Sequence, residues 1–130
     1  MVANLLSAQS AERSAVVDLL RLQARGDERA LVAGIDACAS DPACVTAARR
    51  HALRLRGEGK LEVVRVDHPS RYSLMSRTAT LRVVWKLGDS LTTVQCARVR
   101  RAGSLVEGFE ISVLSLSDPI GRESGCGSGA

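Results

Sequence analysis

The chain has 130 residues, 45% of them hydrophobic, which is enough for one domain with a single core and excludes a disordered chain. Aromatics make up only 2%, so the core must be built from Leu, Val, Ala and Ile, and few rings are available to stack on nucleobases. The net charge of +4 is carried by Arg, with Lys only at positions 60 and 86, and reads first as a solvating charge.

Residues 1–9 show only a weak Val2/Leu5/Leu6 pattern and read as a flexible lead. Ser10 is placed to cap a helix over 11–25, with Val16, Leu19, Leu20 and Gln23 on one face and Glu12, Arg13, Asp18 and Arg21 on the other. Gly26 suits the left-handed residue after that helix, and Asp27 caps a second helix over 28–38 that faces inward through Leu31, Val32 and Ile35. Asp41-Pro42 starts a third helix running to about Arg56, with Val45, Ala48, Ala52 and Leu55 as its apolar stripe. Helical spacing leaves His51 off that stripe, beside Arg50.

Strands follow. Residues 60–67 carry Leu61, Val63, Val64 and Val66; His68-Pro69-Ser70 breaks the run, and 72–75 resumes the ribbon or forms an irregular hairpin. Residues 78–87 alternate cleanly, with Leu81, Val83, Trp85 and Leu87 on one face. Turns at 88–90 and 102–104 separate this strand from strands over 91–101 and 105–116. The alternation changes face between Val94/Cys96 and Ala97/Val99, and again after Phe109, Ile111 and Val113 at Leu114. Each shift fits either a bulge or a sheet buried on both faces near one end. The prediction is an α+β fold: three N-terminal helices packed on a curved antiparallel meander of about four strands. It spans residues 10–117 as one domain, followed by an extended Gly/Ser-rich tail over 118–130.

Cys38, Cys44, Cys96 and Cys126 are an even set. A turn between two helices can bring Cys38 to Cys44, and the tail can fold back to carry Cys126 to Cys96. Disulfides are the favoured reading and imply an oxidising, extracytoplasmic compartment. Four free thiols remain open, and the spacing is wrong for zinc. No metal or cofactor is expected. No run approaches the roughly 18–20 apolar residues of a membrane span. The first residues lack a basic leader, so they do not read as a signal peptide, although a removed export segment is compatible with the chain.

The opening helix with its Gly26-Asp27 step and the closing strands 80–87, 92–100 and 108–116 resemble the nuclear-transport-factor-two-like (SnoaL-like, cystatin-like cone) superfamily. Within it the chain is most similar to small exported actinobacterial domains with paired cysteines. The resemblance covers residues 10–117 and implies a sheet wrapped around helices as a cone. It also implies that Asp, Tyr or His groups lining the cone would carry any isomerase, dehydratase or cyclase chemistry. Asp36, His51, Asp67, His68 and Tyr72 are the candidates of those types here. None matches a family motif position, so none is assigned a catalytic role. Asp36 and His51 could approach one another as a proton-relaying pair; the plainer reading makes Asp36 a helix-end acid and His51 a polar-face residue.

Arg82, Lys86, Arg98, Arg100 and Arg101 would cluster if the first two meander strands pair across their turn, offering a patch to an acidic partner or an anionic surface. Cross-strand pairing with Glu107 and Glu110 is the simpler expectation. No Walker loop, G-x-S-x-G, H-E-x-x-H or dinucleotide fingerprint occurs. The sequence therefore reads as a non-catalytic exported domain that binds a small molecule or a protein, with an enzyme acting inside the cone as the alternative. A homodimer through the sheet is permitted, and nucleic acid is not expected as a partner.

Overall fold

In a computed structural model, which describes residues 2–68, 77–104 and 108–126, three helices precede a four-stranded antiparallel sheet in the order β1-β2-β3-β4. Helix α1 covers Val2–Arg25, α2 Glu28–Gly34 and α3 Pro42–Arg54. The strands are β1 Leu61–Asp67, β2 Thr78–Leu87, β3 Thr93–Ser104 and β4 Gly108–Leu116.

The helix stops follow local chemistry. Gly26 takes φ 72°, and its N–H and that of Asp27 return to the carbonyls of Gln23 and Leu22, which closes α1. The Asp27 carboxylate accepts from Ala30 N–H, and Asp41 accepts from Ala43 and Cys44 N–H, so each caps the helix it precedes. Two expectations were displaced. Helix α1 begins at Val2, ahead of the start expected at Ser10, because residues 2–9 contain good helix formers and no breaker. Helix α2 ends at Gly34 rather than Cys38. Ile35 turns extended and bridges Val113 of β4 in parallel, Asp36 N–H donates to Val113 O, and Ala37 reverses the chain at φ 58°. A 3-10 turn, Cys38–Ser40, then leads into α3. Gly34 itself permits close helix packing: a Cβ there would lie 2.5 Å from Leu19 Cδ2.

The core lies between the helices and one face of the sheet. Val16, Leu19, Leu20 and Leu31 meet Leu81, Val83, Trp85, Ala97 and Val99, all buried. At about 25 cal/mol per Å² of apolar surface, each of the Val and Leu side chains contributes roughly 1.5–3 kcal/mol when fully covered. The two face shifts have different causes. β2 and β3 stay in register from Thr78↔Arg100 to Trp85↔Thr93, so β3 has no bulge against β2 there. Instead Val94 and Gln95, neighbours on opposite faces, are both buried. In β4 the shift is a bulge: Val99 pairs with Val113 and Arg98 with Ser115, which leaves Leu114 extra and returns Leu116 to the core face. Val64 is a second extra residue, in β1.

After β4 the chain stays on the β3 edge, with Ser117 N–H donating to Cys96 O and Ile120 N–H to Val94 O. It then crosses the outer face, where the Arg82 guanidinium donates to the carbonyls of Arg122 and Ser124. Cys96–Cys126 fastens its end, with Cα atoms 5.8 Å apart, and Cys38–Cys44 ties the 3-10 turn to α3 at 5.2 Å. This strap, residues 117–126, accounts for the burial of Val94 on the outer face.

Candidate functional site

The polar side chains of interest fall into three places. The first lies within the core. Gln23 of α1 and Gln95 of β3 exchange amide hydrogen bonds: Gln23 Nε2 donates to Gln95 Oε1 at 2.9 Å, and Gln95 Nε2 donates back to Gln23 Oε1 at 3.2 Å. Gln95 Oε1 also accepts from Trp85 Nε1 at 2.9 Å, and Gln95 Nε2 reaches Ser117 O at 2.9 Å. Each of the five polar side-chain atoms of this cluster has an internal partner, so it pins helix, sheet and strap together and offers nothing to a ligand.

The second is a buried charge cluster at the other end of the same face. The Arg101 guanidinium lies 3.1 Å from the fully buried Glu12 carboxylate, and His68 Nε2 lies 3.6 Å from its second oxygen. Glu12 falls four residues before Val16, on the core stripe of α1 rather than on the polar helix face where it was expected. Arg101 follows the inward alternation of Ala97 and Val99, so the expected basic patch loses this member to the core. Its remaining members share the outer face with internal partners: Arg82 with Asp67, Lys86 with Glu62, and Arg100 with Asp36, while Arg98 is exposed. The expected pairing partner Glu107 lies outside the described residues, as does the candidate Tyr72. Asp67, at the end of β1, bridges Arg65 and Arg82.

The third place is a groove of about 450 Å³ between α3, the 35–41 segment and β4. Asp36 and His51 both line it, but each bonds elsewhere. Asp36 accepts from Arg100 at 3.0 Å. His51 is buried and its Nε2 sits 2.8 Å from Asp118 Oδ1 on the strap, which Arg50 also holds at 2.8 Å. His51 therefore pairs with Asp118 rather than with Asp36. His51 was expected off the apolar stripe but is buried on it: it falls three residues after Ala48 and four before Leu55, on the core side of α3. Arg50, and then His51, hold the Asp118 carboxyl below its ordinary value. The walls of the groove are largely aliphatic: Ile35, Ala47, Ala48, Leu114 and Leu116.

Among the described residues no group of three or more His, Cys, Asp or Glu could hold a metal ion, and no helix is long and apolar enough to cross a membrane. No family model, no curated protein and no solved structure matches this chain.

Proposed function

We propose that this is an exported, non-catalytic domain that binds a ligand or a partner protein. The observation that carries the reading is the filled interior. The space where a cone enzyme would hold substrate is occupied by Val16, Leu20, Leu31, Leu81, Val83 and the closed Gln23–Gln95–Trp85 cluster. The two disulfides support an oxidising compartment. The resemblance to the nuclear-transport-factor-two-like superfamily is carried as part of the same proposal, supported by helices packed on one face of a bulged antiparallel sheet.

Trp85, the sole tryptophan, reports on that interior at 3% exposure. Acrylamide should quench its fluorescence weakly in the native protein and strongly in urea. Strong native-state quenching would mean an open interior, and the non-catalytic reading would fall. One observation favours the enzyme alternative: Glu12, His68 and Arg101 set a carboxylate, an imidazole and a guanidinium together at one end of the sheet. That reading requires small molecules to reach them, and the burial of Glu12 and Arg101 counts against it.

A further inference from the structure

Resting on the partner-binding reading, we propose that the groove beside β4 takes an extended segment of a partner protein, carrying apolar and basic residues, as a fifth strand of the sheet. β4 is an edge strand. The fifth position is begun by the chain itself: Ile35 bridges Val113 in parallel and Asp36 N–H bonds Val113 O. At Ala37, φ 58°, the segment turns away, and the position is vacated alongside Leu114–Leu116.

The backbone there is oriented for pairing. Ser117 N–H donates to Cys96 O, while Leu116 is opposite Ala97. In an antiparallel ladder this makes Ala97–Leu116 a non-hydrogen-bonded pair, so the N–H and C=O of Leu116 point away from β3, toward the groove. Neither finds a partner among the described residues. A donor and an acceptor on one residue of an open edge are complementary to an extended peptide backbone, the mode in which strands add to sheets.

The opposite wall is made of small residues. Ala43 and Ala47, one turn apart on α3, leave room for side chains that a larger pair would fill. His51, bonded to Asp118, lies on the same wall. Besides His51, the ionisable side chains lining the groove are Asp36 and Asp41, both acidic in a chain of net charge +4. Arg100 offsets part of the Asp36 charge, and Asp41 is exposed. The lining thus calls for apolar side chains against Ala47, Leu114 and Leu116, with a cation near Asp41.

Random peptides displayed on phage, selected on the immobilised full-length oxidised protein, provide the probe. Enriched peptides should combine apolar and basic residues. Made synthetically, they should slow hydrogen exchange at the Leu116 amide, and should bind Ala47→Trp about tenfold or more weakly than the parent chain. Ala43→Trp, at an exposed helical position on the rim, should weaken them in the same direction, and a thermal midpoint unchanged in that variant separates blockage from unfolding. Peptides that bind both variants as tightly as the parent would overturn the groove assignment while leaving partner binding elsewhere intact. So would selection that enriches nothing, or a concentration-dependent dimer that already protects the Leu116 amide. Failure of the non-catalytic reading on which this rests would register separately, in strong native-state quenching of Trp85.

Discussion

Gln95→Leu probes how the helices, sheet and strap are held together. Gln95 is fully buried and makes four hydrogen bonds, to Gln23 twice, to Trp85 and to Ser117. Leucine is close in size but strands both ends of the Gln23 amide and the Trp85 N–H; the Ser117 carbonyl, on a half-buried residue, is nearer to water. Each stranded buried group costs about 1–3 kcal/mol, so three cost roughly 6 kcal/mol. The added apolar body recovers about 2 kcal/mol, leaving a net loss of about 4 kcal/mol. That is a large share of the roughly 5–15 kcal/mol that holds a domain folded. Gln23→Leu should cost only about 1 kcal/mol, because Gln95 keeps Trp85 and Ser117 as partners. Urea unfolding of both variants with the disulfides intact measures the difference. A loss below about 1 kcal/mol for Gln95→Leu, or a larger loss for Gln23→Leu, would refute the claim that Gln95 is the hub.

Three further outcomes follow from the same geometry. Removing Cys96–Cys126, which closes a separation of 30 residues, should cost about 3–4 kcal/mol of unfolding free energy, against about 2 kcal/mol for Cys38–Cys44 at a separation of 6; equal losses in denaturant would contradict the loop argument. Asp118 has a lowered folded-state pKa, so it binds its proton more readily when unfolded. Its contribution to stability is present above the usual carboxylate value of 3.8 and is lost as pH falls through the folded value, and Asp118→Asn should flatten the decline of Tm below about pH 4. Arg101→Met should cost about 3–5 kcal/mol in urea, since it leaves the buried Glu12 carboxylate without its guanidinium, whereas Arg98→Met, at an exposed position, should change stability by less than about 0.5 kcal/mol.

Much of the architecture was legible because its signals are local. Asp41-Pro42 announced α3, Gly26 ended α1, and the β-branched, alternating run over 78–87 gave β2 with both of its ends. The α2 boundary was not legible, since Ile35 leaves the helix for a pairing with Val113 that is distant in sequence. For β3 the sequence could not separate a bulge from two-sided burial, because the cover over Val94 comes from residues 117–126. The candidate site was legible in part. Asp36 and His51 do line one groove, but the acid that bonds His51 is Asp118, from a tail with no periodic signal. Glu12 and Gln23 sat on the apolar stripe of α1 and were readable by spacing, as was Arg101 from the parity of Ala97 and Val99. A charged residue at a core position is ordinarily discounted, since burying it requires a partner that only the fold supplies.

The strap and the exported setting both require an oxidised chain. The direct measurement is disulfide mapping of the protein recovered from the cells that make it, with free thiols alkylated before any reduction. We expect no alkylated cysteine and two cross-linked pairs, Cys38–Cys44 and Cys96–Cys126. Four alkylated thiols would contradict both the exported setting and the strap, and with them the proposed function.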